Sequence, residues 1–447
     1  MTKQFNIEKT HTMKKQLIYS FITFFFIGSL FAQQTPASKQ TQAYSIEGAT
    51  AHLGNGKIIE NSLLMFDNGK IVFVGSAMMK IARIGTVINA KGKHLYPGFI
   101  ATNTTLGLAE IDAVRATRDF DEVGAMNPHI RSLIAYNTES KIVETMRPNG
   151  VLMAQITPRG GTISGTSSVV QLDAWNWEDA TIKTNDAIHI NWPGSFTRGR
   201  WWMGEDPALK IDKNYSKEIT NIKSYFENAK RYLAGNKSTK NLPFEATEGL
   251  FNGSQKLFIH VNGQREITDA ITISKKLGIN NIVIVHGNGA EKVADLLVKN
   301  NIPVIVNRAH RTPNNEDDDY DLPFRNAKIL TEKGIVVAIG MEDDMERMNT
   351  RNLPFYAGTY GAYGLGKEKA LQLITENAAK ILGIDDKVGT LEVGKDATLF
   401  ISKGDALDMR TNIISKAFIQ GREISLESHQ TKLWKRYSKK YKNQVSK

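Results

Sequence analysis

At 447 residues, with 41% hydrophobic and 23% charged residues, the chain is too long for one small core and has the make-up of a soluble globular protein of about two or three domains. It has no cysteine, which excludes disulfides, thiolate ligands or nucleophiles and a lipid-modified cysteine anchor. The net charge of +11 is concentrated at the end: residues 430–447 carry seven lysines and arginines and no acid, so the body is near neutral.

The first predicted element is an export signal at 1–32. Lys14 and Lys15 precede an apolar run over 17–31 that closes at Ala32, and Met13 is positioned as the natural start of such a signal. The run is short of the roughly 20 residues that a span needs, so cleavage near Ala32 and a periplasmic location are expected. An exported chain with a neutral body gives no reason to expect nucleic acid as a partner. The basic tail, 426–447, reads as a solvated or helical segment, or one that meets an anionic surface.

Residues 44–96 alternate short β-prone runs with Asn55-Gly56 and Asn68-Gly69, both strong hairpin signals. A second strand-rich stretch lies at 387–425. Two β-rich pieces at opposite ends of a chain can pair into one small sandwich that encloses what lies between.

The intervening segment, 97–386, alternates strands and helices. Strands are predicted at 94–102, 151–157, 168–172, 187–191, 256–261, 281–286, 304–307 and 334–339, with helices clearest at 218–233, 291–299 and 367–382. Eight strands with crossover helices are the size of a (β/α)8 TIM-type barrel, so the fold class is α/β, and reactive groups belong at the carboxyl ends of the strands. Those ends are Asn103, Thr157, Asp173, Asn191, His260, His286, Asn307 and the residues from Gly340 onward.

His260 closes KLFIH and His286 closes NIVIVH. Each alone reads as a hydrogen-bonded structural histidine, but two at the ends of successive strands would point both imidazoles into one mouth, the arrangement of a metal site. Glu342, after the last strand, offers a ligand or general base, with Asp343 as a second candidate base. They also fit a solvated acidic loop with Asp344 and Glu346. His310 can reach the mouth from the seventh loop. The acidic run 316–321 lacks the spacing and glycine of a calcium loop and reads as solvated. Arg159 and Ser164 belong to the Gly/Ser-rich loop RGGTISGTSS, either a substrate-facing cradle or a tight connection. Trp175, Trp177, Trp192, Trp201 and Trp202 cluster as a local apolar core under a long loop, or as an aromatic wall over the mouth.

The ordered segments VINAKGKHLYPGFI, IHVNG, IVIVHG, GIVVAIG, RNLPFYAGTYGAYGLGKEKALQLITENAAKILGI and VGTLEVGKDATLFIS resemble the amidohydrolase superfamily, in particular its imidazolonepropionase-like branch. The resemblance spans about residues 44–424 and implies a composite β-sandwich around the barrel. It also implies hydrolysis of non-peptide or cyclic carbon–nitrogen bonds in small amides by metal-activated water. On that likeness His260 and His286 are metal ligands, and the eighth-strand acid falls at Met341 or Glu342. The first-strand histidine pair falls on Asn103 and Thr105, and the acid before it on Ala101. No residue is assigned to a fourth-strand bridge. The resemblance therefore implies a degenerate centre holding one Zn2+ or other divalent ion, or no metal. The alternative is a catalytically inactive binding subunit, as a homo-oligomer or assembled with an intact relative.

Overall fold

The N-terminal strands are β1 (Tyr44–His52), β2 (Ile58–Asp67), β3 (Lys70–Ser76), β4 (Thr86–Asn89) and β5 (His94–Pro97) in a computed structural model that describes residues 35–235, 237, 239–342 and 345–445. The expected export segment and Asp343 lie outside the described residues. Asn68 and Gly69 both have positive φ, 48° and 78°, the pair a type I′ turn needs between β2 and β3. Asn55-Gly56 instead lies in a wider connection closed by Leu53 N donating to Lys57 O at 2.9 Å.

β5 passes through Gly98 into the central segment. Its strands are β6 (Phe99–Thr104), β7 (Val151–Ile156), β8 (Ile163–Thr166), β9 (Ser168–Gln171), β10 (Thr181–Lys183), β11 (Ala187–Asn191), β12 (Phe196–Arg198), β13 (Leu209–Ile211), β14 (Lys256–Val261), β15 (Ile282–His286), β16 (Val304–Val306) and β17 (Val337–Ile339). Helix α1 (Tyr215–Ala234) precedes β14. Then α2 (Gln264–Leu277), α3 (Ala294–Lys299) and α4 (Leu322–Glu332) form the crossovers between successive strands to β17, and α5 (Leu353–Tyr360) and α6 (Glu376–Leu382) follow. The chain ends with β18 (Leu399–Ser402), β19 (Ile414–Ile419), β20 (Arg422–Glu423) and the basic helix α7 (His429–Val445). Among the described residues no helix is long and apolar enough to cross a membrane.

N- and C-terminal strands share one eight-stranded sheet, ordered β20-β19-β18-β5-β1-β2-β3 with β4 on β1, so the two ends of the chain meet where β5 pairs antiparallel with β18. These strands are hydrogen-bonded into one sheet, with bulges around Gly48 in β1.

The central strands form a TIM-barrel-like α/β unit made of a four-stranded sheet, β10-β9-β7-β6, and a six-stranded sheet, β17-β16-β15-β14-β11-β8. On one side the sheets meet through a parallel bridge between Thr102 and Gly340, with Met341 N donating to Thr102 O at 3.1 Å. On the other side the chain itself crosses from β8 to β9 at Ser167. One buried cluster takes residues from eight successive positions around this ring: Ile100, Met153, Val169, Ala187, Phe258, Val283 with Val285, Ile305 and Ala338. Ala378, Ala379, Ile381 and Leu382 of α6 plug it from the N-terminal end. Burial on both faces is why these strands read as unbroken apolar runs. Lys183 and Lys256 donate to the last carbonyls of α6, where cationic donors satisfy groups that have no intrahelical partner.

Two sequence expectations need correction. The third ring position does not run parallel: β8 is antiparallel to β11 and β9 to β7, and no crossover helix separates β7 from β8. A uniform eight-fold (β/α) repeat is therefore not present. As a result Asp173, after β9, points to the pole opposite the strand ends that carry chemistry. There it accepts from Arg147 at 2.6 Å, Arg422 at 3.1 Å and the Ala37 amide at 2.9 Å.

Arg147 and Asp173 have only 3% and 2% of their side chains exposed. Removing one partner of such a pair leaves a desolvated charge, so Asp173→Ala should lower unfolding free energy by about 3–5 kcal/mol in urea titrations. A loss below about 1 kcal/mol would show that the Arg147 charge is satisfied without Asp173.

Candidate functional site

The carboxyl ends of β6, β14, β15 and β17 bring Asn103, His260, His286 and Glu342 together. Two of these residues have left-handed backbones, Asn103 at φ 53° and His286 at φ 72°. Asparagine tolerates that region and histidine visits it only where neighbours hold it, so each strand ends in a turn that aims its side chain into the ring. Of the two alternatives for the eighth-strand acid, Met341 is fully buried in apolar packing and Glu342 faces the site.

Glu342 Oε2 is the point of convergence. Asn103 Nδ2 donates to it at 2.9 Å, His260 Nδ1 lies 2.8 Å away and His286 Nε2 3.3 Å away. Arg159, reaching in from the loop after β7, places Nε 3.7 Å from the other carboxylate oxygen. Burial alone would raise the Glu342 carboxyl, but Arg159, His260 and His286 outweigh it and hold the group well below the usual carboxylate range. Such a carboxylate is a strong ligand and a weak proton acceptor, because an effective general base has a pKa near the working pH.

The guanidinium of Arg159 is committed within the chain. Its Nη1 donates to Asn103 Oδ1 at 2.9 Å, and its Nη2 donates to Asn103 O at 3.1 Å and Glu346 Oε2 at 2.9 Å. Burial opposes its charge, yet Glu342 and Glu346 prevail and keep it firmly protonated. Thr105 belongs to this ion-pair side of the site: its amide donates to Glu346 Oε1 at 2.7 Å.

Each histidine is held from behind. His286 Nδ1 donates to Asn307 Oδ1 at 2.7 Å, which in the neutral ring leaves Nε2 as a lone pair; burial lowers the imidazole's pKa, but Glu342 and Asn307 outweigh it and raise it above its ordinary value. Asn307 is fixed in turn, its carbonyl accepting from the Tyr360 hydroxyl at 2.7 Å. His260 Nε2 lies 2.9 Å from Nδ1 of the buried His189, and His189 Nε2 lies 2.9 Å from Ser167 Oγ. Ser167 Oγ donates to Asp186 Oδ1 at 2.7 Å, and Gln155 Nε2 donates to Asp186 Oδ2 at 2.7 Å. Burial raises the Asp186 carboxyl above the usual range, against the pull of its two donors. Burial drives His189 well below its ordinary value, so it is neutral.

The donor set fits a divalent ion. His260, His286 and Glu342 place ligand atoms within 4.8 Å of one another, and His260 Nδ1 is a buried nitrogen without an aligned hydrogen bond. Two imidazoles and a carboxylate are a common three-ligand zinc set, and hydrogen-bonded outer nitrogens are the usual accompaniment.

The remaining sequence candidates lie elsewhere. Ser164 is buried on β8 and accepts from Asn191 Nδ2 at 3.1 Å, away from the triad. His310 donates to or accepts from Thr359 Oγ1 at 2.7 Å and lines a separate cavity of about 550 Å³ with Phe355, Lys367 and Asp405. The tryptophans do not form one local core: Trp192 is buried, whereas Trp175, Trp201 and Trp202 are 63–72% exposed. Sequence reading passed over Gln155, Asp186 and His189, and took Ser167 and Glu346 only as members of a loop and of an acidic cluster. His189 had a usable signal, since it alternates on β11 with Ala187, which lines the ring interior.

Residues 324–424 match the profile of the Amidohydrolase family. The chain is 24% identical over 362 residues to a 5′-deoxyadenosine deaminase of Methanobrevibacter smithii, covering 77% of this chain and 80% of that protein. It is 32% identical over 89 residues to an imidazolonepropionase of Thermoanaerobacter pseudethanolicus, covering 20% and 21% of the two chains. Among solved structures an amidohydrolase from Thermotoga maritima superposes with a TM-score of 0.72 at 22% identity, covering 85% of this chain and 99% of that one, a likeness of fold.

All four polar groups of Asn103 are used, its amide donating to Gln155 Oε1 at 3.0 Å. Asn103→Ala should therefore cost about 3 kcal/mol in chemical denaturation, from two lost hydrogen bonds to charged groups and a left-handed alanine. Asn103→Gly should recover about 1 kcal/mol of that, and equal losses in the two variants would mean the backbone is not strained there.

Proposed function

We propose that this chain is a member of the amidohydrolase superfamily, on its imidazolonepropionase-like branch, and that it hydrolyses a carbon–nitrogen bond of a cyclic amide or a related small molecule at a reduced, single-metal centre. The observation that carries this reading is the convergence of His260, His286 and Glu342, each imidazole with its outer nitrogen already bound. A divalent ion held by these three residues would supply a water of lowered pKa and a Lewis acid for the substrate carbonyl or amidine carbon. Glu342 serves as ligand and charge. Arg159 and Asn103 orient it, and Arg159 supplies a fixed positive charge on the first-strand side, where the superfamily's histidine pair would stand. The deaminase likeness widens the substrates worth testing to aminopurines.

We also read 44–96 with 387–425 as the family's composite β-sandwich and 97–386 as its barrel. On the 1–32 pattern we place the protein in the periplasm.

A second reading has one observation of its own. Arg159 already neutralises Glu342 and spans to Glu346, so half of the usual centre is filled by the chain itself. A protein that binds a small amide without hydrolysing it, alone or beside an intact relative, would need no more.

The test is zinc content and affinity by chelator competition, with ammonia release or ring opening followed on cyclic amides and aminopurines. About one zinc per chain is expected, lost in His260→Ala and His286→Ala, with hydrolysis abolished by chelation and restored by zinc. Arg159→Met removes a nearby positive charge and should tighten zinc about tenfold or more, since a unit charge a few ångströms away is worth kilocalories at effective protein dielectric. Zinc binding without turnover of any of these substrates would favour the second reading. Failure of the folded protein to bind any divalent ion would overturn the first.

A further inference from the structure

The strongest unused arrangement in the molecule is the line of buried polar groups behind His260. It runs from Glu342 through His260, His189 and Ser167 to Asp186, with each link between 2.7 and 2.9 Å. His189, Ser167 and Asp186 are at most 1% exposed, so each proton in the line must point at a neighbour in the line.

With Asp186 ionised, the direction of the line follows from its inner end. The Asn103 amide donates to Gln155 Oε1, which turns Gln155 Nε2 toward Asp186 Oδ2. Burial raises the Asp186 carboxyl, and the Gln155 and Ser167 bonds with the nearby Lys183 and Lys256 favour its ionised form; ionised, it only accepts, so its other oxygen takes the Ser167 proton. Ser167 has one proton, and its other close acceptor, Ala187 O, lies farther off at 3.3 Å. With that proton spent on Asp186, Ser167 Oγ accepts from His189 Nε2–H. A neutral His189 then has Nδ1 as a lone pair, which accepts from His260 Nε2–H. His260, also neutral, is left with a lone pair on Nδ1, 2.8 Å from a Glu342 carboxylate oxygen. Two lone pairs at that distance repel, and a cation between them relieves the repulsion.

We propose that Asp186, acting through Ser167 and His189, is a positioning residue that locks His260 in the Nε2–H tautomer and so presents its Nδ1 lone pair to a divalent cation. The same device appears in one step at His286, where Asn307 takes the Nδ1 proton and frees Nε2. The cation in this inference rests on the single-metal reading above. The tautomer does not.

In Asp186→Asn the amide oxygen must face Gln155, whose orientation is set by Asn103, so the NH2 group faces Ser167. Ser167 then turns its proton to His189, His189 donates from Nδ1 to His260 Nε2, and His260 Nδ1 becomes protonated and faces Glu342. The whole line reverses without moving a heavy atom. Ser167→Ala instead breaks the line and leaves His260 without an imposed tautomer.

The experiment is nitrogen NMR of the full chain labelled with 15N-histidine, with the His260 signals assigned by their loss in His260→Gln. It is paired with zinc affinity by chelator competition for wild type, Asp186→Asn and Ser167→Ala, each checked for folding by circular dichroism. Wild type should show His260 protonated at Nε2. Asp186→Asn should show it protonated at Nδ1, with zinc bound about 10- to 100-fold more weakly, the range for outer partners of a ligating histidine. Ser167→Ala should show mixed tautomers and serves on its own if Asp186→Asn does not fold. Protonation of His260 at Nδ1 in wild type, or an unchanged tautomer in both variants, overturns the inference. If wild type binds no zinc while His260 is protonated at Nε2, the metal reading falls and the positioning role of Asp186 stands.

Discussion

One guanidinium holds the mouth of this ring together. Arg159 touches Asn103 near the end of the first strand, the acid after the last strand and the acid of the short helix that follows it, and so ties three elements together. A buried cation with both carboxylates nearby is stable only as a set, because removing one member leaves another charge desolvated at a cost of about 3–5 kcal/mol. Both imidazoles converge on Glu342 Oε2, while Arg159 approaches the other carboxylate oxygen. The chain's own contacts thus gather two imidazole nitrogens and one carboxylate oxygen at one defined point.

Backbone strain is concentrated at the same place. The left-handed residues Asn103 and His286 lie at the carboxyl ends of their strands, with their side chains on Glu342. Each carries a conformational cost of order 1–3 kcal/mol, persisting because hydrogen bonds hold the residue from several sides. The packed interior behind them, from Ile100 to Ala338 around the ring and sealed by α6, supplies the rigidity against which those turns are held.

Much of this was legible in the residues. Apolar runs buried on both faces announced all eight ring positions, and the histidines closing β14 and β15 stood out because a polar residue ends each run. Strand direction was not legible at the third position, since alternation and composition are the same for a parallel and an antiparallel neighbour and only the pairing distinguishes β8 and β9 from their expected form. Arg159 looked like a loop residue beside glycines, and nothing local says that its charge folds back onto Asn103 and Glu346. His189 was hidden by the opposite problem: it sits in mid-strand among isoleucines, where a lone polar residue reads as a satisfied core group. It is indeed satisfied, and its partners give it a direction.

On the proposed family reading, Asn103 and Thr105 stand where a histidine pair would hold an ion, and the fixed charge of Arg159 takes that place. A divalent ion at that side would exchange with solvent and would need neutral or anionic ligands on β6. A guanidinium is covalently fixed, carries one charge where an ion carries two, and asks of β6 only acceptors and a donor that can settle the neighbouring acids. Asn103 provides both through its amide side chain, and Thr105 provides its backbone amide to Glu346. Arg159 holds Glu342 ionised. On that reading any Lewis-acid chemistry falls to the half of the site built from β14, β15 and β17, where both imidazoles have outer hydrogen-bond partners.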